Sequence, residues 1–178
     1  MNLPIGLTLS RIVLVPLLIV FLISSSRVHA VIAAAIFILA ALTDWLDGLI
    51  ARRRNQVTTL GTLLDPIADK ILVASALVSL LQIDKVAAWI VFVIIGRELL
   101  VTGLRAVAAG VGVIVPASRL AKWKTVGQYV AITMMIVEKS VGSPAFHAVA
   151  TGVLWAALAL TIVSAAEWLW PRKVEVVP

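Results

Sequence analysis

Residues 43–70 read T-D-W-L-D-G-L-I-A-R-R-R-N-Q-V-T-T-L-G-T-L-L-D-P-I-A-D-K. Nowhere else does the chain hold four carboxylates so close together. Asp44 and Asp47 are three residues apart, Asp65 and Asp69 four apart. On helices each pair shares a face. Between the pairs lie Gly48, Gly61 and the arginines Arg52, Arg53 and Arg54, and the chain on either side is apolar. Acids flanked by greasy helices need a partner, and a bound cation is the partner this pattern suggests.

Composition sets the surroundings of that stretch. Of 178 residues 62% are hydrophobic and 13% charged, with a mean hydropathy of +1.10. Soluble domains carry about 45–50% apolar and about 25% charged residues. The expectation is therefore an all-α integral membrane protein of one domain, residues 1–178. The absence of cysteine excludes disulfides, thiolate nucleophiles and zinc–sulfur sites. The net charge of +6 points to anionic lipid or phosphate as partners, with no nucleic acid. His29 and His147, each alone in an apolar setting, read as spectators.

Hydropathy predicts six transmembrane helices, at about residues 7–23, 28–50, 61–83, 86–109, 117–137 and 144–170. The second carries Asp44 and Asp47 near its end; the third carries Asp65 and Asp69 near its start. Pro66 suits a first helical turn, with Asp65 as a candidate N-cap. Gly96-Arg97-Glu98 and Arg105 interrupt the fourth span, and segments 52–60 and 110–118 read as loops. Alternation places Arg11, residues 52–54, Arg119, Lys122, Lys124, Arg172 and Lys173 on one side, against Arg27, Lys85 and Lys139 on the other. That bias predicts cytoplasmic termini in a multi-pass protein. The polar helix ends then meet at the cytoplasmic side, around a charged cavity beneath sealed apolar outer halves.

Each acid at mid-membrane costs roughly 2.5–3.5 kcal/mol, so four together cost on the order of 10 kcal/mol and must face inward. Oxygen-only ligands suit hard cations, Mg²⁺ or Mn²⁺. Four carboxylates are enough for two ions of the kind used in phosphoryl transfer. Gly48 leaves room for a ligand to approach the backbone, and Arg52 is placed to fork onto a phosphate oxygen. A structural or transport ion site remains open on spacing alone.

The full pattern, D-x-x-D-G-x-x-A-R, eight residues, then G-x-x-x-D-x-x-x-D, is filled by Asp44, Asp47, Gly48, Ala51, Arg52, Gly61, Asp65 and Asp69. It resembles the signature of the CDP-alcohol phosphotransferase family. The resemblance implies that family's fold of six membrane helices, two divalent metals, a cytoplasmic-side site in the plasma (inner) membrane and a homodimer. It also implies transfer of a substituted phosphate from a CDP-linked donor to an alcohol, with release of CMP. By position, Asp44, Asp47 and Asp65 resemble the metal ligands. Asp69 resembles the general base, sharing the second metal. Thr43, Gly48, Ala51, Arg52 and Gly61 would line the CDP site.

N-L-P-I-G-L-T-L-S-R at residues 2–11, G-R-E-L-L at 96–100 with Arg105, and A-S-R-L-A-K-W-K-T-V-G-Q at 117–128 narrow the resemblance. They are similar to family members that take CDP-diacylglycerol as donor and sn-glycerol 3-phosphate as acceptor. Members often have Asn near Ile5 or Gly6, and Gly where this chain has Ala121. Arg105 and Lys122, then Arg119 and Lys124, are the expected holders of the acceptor phosphate, with Arg119 and Lys122 sharing a face that Lys124 does not. Arg97 and Glu98 read either as site residues or as a buried ion pair with different partners. The alternatives are a phosphatidylserine, phosphatidylinositol-phosphate or cardiolipin-type synthase and, in a different class, a cation transporter or channel.

Overall fold

The structure is a computed structural model that describes the backbone of residues 3–54, 59–112 and 119–169, and side chains over 11–43, 67–112 and 120–167. It contains six α-helices: α1 (Leu3–Ile23), α2 (Arg27–Arg54), α3 (Thr59–Gln82), α4 (Ala88–Gly110), α5 (Arg119–Val141) and α6 (Pro144–Leu169). Among the described residues there is no strand. α1 packs on α2 and α3, α5 packs on α2 and α6, and α4 touches α3 and α6.

Each helix turns one stripe inward at helical spacing. α1 buries Arg11, Val15, Leu18 and Leu22, and α2 buries Ala33, Phe37 and Ala40. α3 buries Leu72, Ala76 and Leu80, α5 buries Lys124, Gln128, Ala131 and Met135, and α6 buries Ala150, Leu154, Ala157 and Thr161. The opposite faces stay apolar: Val13, Phe92, Val107 and Trp123 are among the most exposed large side chains. Small alanines on the α2 and α6 stripes let the helix axes approach closely, which large side chains would prevent.

Three expectations change in detail. The Gly96-Arg97-Glu98 segment does not break α4, which runs unbroken because its charges are absorbed by neighbouring helices. α3 begins at Thr59, so Pro66 lies two turns inside the helix and Asp65 is not its N-cap. α2 continues through Arg54, past the expected end near residue 50 and into the segment read as a loop, because the arginines extend the helix rather than stop it. Residues 55–58 and 113–118, the remaining parts of the expected loops, lie outside the described residues. Among those described, one helix segment, Pro144–Glu167, is long and apolar enough by itself to cross a membrane; shorter apolar stretches cover Arg11–Ile23 and Arg27–Thr43.

Arg27, Lys85 and Lys139, grouped by alternation, do share one end of the bundle. Ser140 Oγ donates to Arg27 O at 2.8 Å and Lys139 Nζ to Ser24 O at 2.9 Å. Lys85 Nζ donates to Glu138 Oε1 at 3.0 Å, and His147 Nδ1 lies 3.0 Å from the same oxygen. Glu138 thus staples the α3–α4 turn to α5 and α6. Gly142 makes the α5–α6 turn, with φ +62° and its N–H on Glu138 O at 2.9 Å. His29 bonds Ser24 Oγ at 2.6 Å, so both histidines serve structure at this end.

Glu138 stands just past the expected end of the fifth span. Burial pushes its carboxyl up, but hydrogen bonds from Lys85 and His147 outweigh this and hold it below the usual value of 4.5. A depressed carboxylate contributes stability above its unfolded pKa and loses it as pH falls through the folded value. Thermal unfolding in detergent should therefore show a Glu138→Gln deficit at pH 7 that shrinks as the pH is taken below 4.5. Loss of these charge-assisted bonds at neutral pH should cost about 1–3 kcal/mol.

Candidate active site

The stripes that form the core lead to the four acids. On α2 the buried series Ala33, Phe37, Ala40 continues at the same spacing to Asp44 and Asp47. On α3 the series Ala76, Leu72 runs back to Asp69 and Asp65. α2 and α3 are in contact and are joined through residues 55–58. By spacing alone the four acids continue the series on these two helices, and Asp69 is the one whose side chain is described. The side chains of Asp44, Asp47, Gly48, Ala51, Arg52, Gly61, Asp65 and Arg119 lie outside the described residues, and among those described no three acids or histidines gather.

Asp69 is described and half-buried. Tyr129 Oη, from α5, donates a hydrogen bond to Asp69 Oδ1. Asp69 also lines a cavity of about 420 Å³ between α3, α4 and α5, together with Lys70, Glu98, Thr102, Thr125 and Gln128 on its polar side. Ile67, Ile71, Val73, Ile95 and Leu99 line the rest. The carboxylate is thus reachable from a chamber with one polar and one apolar wall. Thr43 is less available, because its hydroxyl donates to Ala40 O at 2.8 Å within its own helix.

Around the cavity a polar network joins three helices. Glu98 Oε1 accepts from Arg97 Nη1 at 3.3 Å and from Lys124 Nζ. Arg97 Nη2 donates to Ser164 Oγ at 2.7 Å, and Ser164 Oγ donates to Thr161 O at 3.1 Å. Gln128 Nε2 donates to Thr161 Oγ1 at 3.0 Å, and Thr161 Oγ1 donates to Ala157 O at 2.7 Å. Arg97 and Glu98 thus form an ion pair, and each also has a partner on another helix. Arg105 is half-buried, within electrostatic range of Arg97 and Glu98. Among the described residues, Arg97 Nε and Arg105 Nε are buried with no hydrogen-bond partner.

The spacing of the basic residues on α5 separates Lys122 from Lys124, and packing decides which of them faces inward. Lys124 is 3% exposed and turned onto Glu98, while Lys122 faces outward. A lysine two positions away projects to the other side of a helix, and the inward side of α5 is set by Lys124, Gln128 and Ala131. Of the expected acceptor-phosphate residues, Lys124 pairs with Glu98, which lines the cavity, and Lys122 faces outward. Sequence reasoning passed over Lys70, Gln128 and Tyr129. The signal for Gln128 was present: it stands one helical turn after Lys124 on an otherwise apolar stripe.

A family model for CDP-alcohol phosphatidyltransferase matches residues 1–163. The chain belongs to the CDP-alcohol phosphatidyltransferase family. A Bacillus subtilis protein named CDP-diacylglycerol–glycerol-3-phosphate 3-phosphatidyltransferase is 40% identical over 94% of this chain and 93% of its own length. A Rickettsia typhi protein of the same name is 42% identical over 92% of each. A Mycobacterium tuberculosis protein named as a probable phosphatidylglycerophosphate synthase is 40% identical over 92% of this chain and 78% of its own. The motif in residues 44–69 therefore sits in a chain related to the family along nearly its whole length.

Removing one partner of a buried ion pair leaves the other uncompensated, at about 3–5 kcal/mol. Lys124→Met should accordingly lower the unfolding temperature in detergent well beyond Lys122→Met, which should stay within about 0.5 kcal/mol of the parent protein. Equal effects would show that the two lysines are not divided as described.

Proposed function

We propose that the chain transfers the phosphatidyl group of CDP-diacylglycerol to sn-glycerol 3-phosphate, giving phosphatidylglycerophosphate and CMP. The observation that carries this reading is coverage: relatives named for this transfer align with 92–94% of the chain. The intact D-x-x-D-G-x-x-A-R and G-x-x-x-D-x-x-x-D segments supply the reacting groups.

In this reading Asp69 accepts the proton of the acceptor hydroxyl as its oxygen bonds to the β-phosphorus, and the bond from that phosphorus to CMP breaks. A carboxylate lining a cavity can reach such a proton. Thr43, Gly48, Ala51, Arg52 and Gly61 surround the CDP moiety, with Arg52 on the diphosphate. Arg105 and Lys124, with Arg119 and Lys122, meet the acceptor phosphate. Lys124 would divide its charge between that phosphate and Glu98.

The donor set fits a pair of divalent ions, because Asp44, Asp47, Asp65 and Asp69 are all hard oxygen ligands, spaced at helical intervals on two touching helices. Asp44, Asp47 and Asp65 would hold Mg²⁺ or Mn²⁺, with Asp69 contributing to the second. When bound, the ions supply charge neutralisation at the phosphoryl oxygens and the departing CMP.

The six helices serve as membrane spans, with the donor's tails in lipid and its headgroup at the inner end. Apolar outer faces such as Val13, Phe92 and Val107 support this. The protein is a multi-pass plasma-membrane homodimer with cytoplasmic termini and site. A cation pathway is disfavoured, since the described core away from the acids is built of Leu18, Leu22, Leu77, Leu80, Ile132 and Met135, which offer an ion no ligands.

Purified in detergent and given CDP-diacylglycerol, the protein should release CMP with sn-glycerol 3-phosphate and not with serine, inositol phosphate or phosphatidylglycerol. Chelation of divalent ions should stop release, and Mg²⁺ or Mn²⁺ should restore it. Asp69→Asn should insert in membranes normally while losing about 10²-fold or more of turnover. Full turnover by that variant would remove Asp69 as the base, and CMP release with another alcohol would reassign the acceptor.

A further inference from the structure

Tyr129 is the chain's only tyrosine, and the reaction described above gives it no task. It projects from α5 so that its Oη donates to Asp69 Oδ1 on α3. Its ring lies against that of Phe37 on α2, with centroids 5.4 Å apart at 44°. Phe37 is fully buried. One side chain thus ties the helices α2, α3 and α5 together at Asp69.

The hydrogen bond also spans the wall between two cavities. Asp69 and Gln128 line the chamber between α3, α4 and α5. Tyr129 lines the other, of about 320 Å³, with Phe37, Ile38, Leu42, Val130 and Met134.

An aspartate bears a broad, roughly two-fold final torsion, so nothing in its own covalent structure aims its oxygens. Here two cations, Lys70 and Lys124, and the Glu98 carboxylate share the same chamber region. Unrestrained, the Asp69 carboxylate would follow whichever charge is nearest. A base must instead keep one oxygen within hydrogen-bond reach of the acceptor proton. A misplacement of about 1 Å costs on the order of 10²-fold in rate. A phenol is suited to aim it: it has few torsions, a rigid ring pinned by Phe37, and an O–H that donates to one carboxylate oxygen. The remaining lone pairs stay open to substrate or ion.

We propose that Tyr129 is the positioning residue for Asp69, holding Oδ1 so that the carboxylate presents a fixed lone pair to the acceptor hydroxyl. This rests on the reading of Asp69 as the base. The hydroxyl of Tyr129 takes no proton from the substrate; its effect is on the orientation of its neighbour. Loss of the hydroxyl alone should therefore slow turnover without weakening the hold on either substrate.

The test is steady-state CMP release by the full-length protein in detergent, with Tyr129→Phe, which keeps the ring and its packing on Phe37. Turnover should fall about tenfold or more, with KM for CDP-diacylglycerol and for sn-glycerol 3-phosphate within about twofold and the unfolding temperature unchanged. In an Asp69→Glu background, where the carboxylate is already displaced, the same change should add less than about twofold. Turnover of Tyr129→Phe within about twofold of the parent protein overturns the proposal. So does a rise in KM that accounts for the loss, a drop in unfolding temperature that accompanies it, or losses that simply multiply in the Asp69→Glu background. Asp69→Asn, run alongside, separates the two ideas: an inactive Asp69→Asn with a fully active Tyr129→Phe leaves the base in place and removes only its positioning residue.

Discussion

A charge carried into an apolar bundle has to meet an opposite charge or a set of hydrogen bonds, because burial without them costs several kcal/mol per group. The inner half of this protein is arranged around that constraint. Glu98 is met by Arg97 and Lys124, Arg97 is met by Ser164, and Gln128 is met by Thr161. These contacts fix how α4, α5 and α6 are rotated about their own axes. Once Lys124 and Gln128 are turned inward, Tyr129 is carried to the side of α5 that faces α2 and α3, and its hydroxyl arrives at Asp69.

The two ends of the bundle solve the same problem differently. At the end bearing Arg27, Lys85 and Lys139, charges are consumed locally: Lys85 and His147 converge on Glu138, and side chains cap backbone carbonyls. At the other end Glu98, which pairs with Arg97 and Lys124, lines the same chamber as Asp69. Between the ends, the contact surfaces of α1, α3, α5 and α6 are built of Leu, Ile, Met and Ala. That apolar middle keeps the polar end from becoming a channel.

Much of this was legible from residues 43–70 and the hydropathy around them. Helix number, the position of the acids near helix ends, and the grouping of Arg27, Lys85 and Lys139 follow from spacing and composition, and the family from the resemblance its motif carries. Boundaries were less legible. The cap reading of Asp65 failed because α3 begins two turns earlier, and a proline inside a helix reads locally like one at its start. Spacing put Lys122 and Lys124 on different faces of α5 without saying which face is buried. The contrast between Lys122 and Lys124 depends on which side of α5 is packed, and adjacent charged residues carry no label for that.

What the sequence by itself determined, then, is the chemistry on hand: four aspartates at helical intervals, arginines after them, and an apolar chain that obliges them to face inward. These follow from covalent order and the helical repeat alone. What only the tertiary structure decided is which of those groups meet. The Glu98–Lys124 pair, the tie of Arg97 to Ser164, and the approach of Tyr129 to Asp69 join residues 26, 67 and 60 positions apart. The rotation of each helix is chosen by the sum of its packing and its buried charges, and that sum exists only when all six helices are assembled.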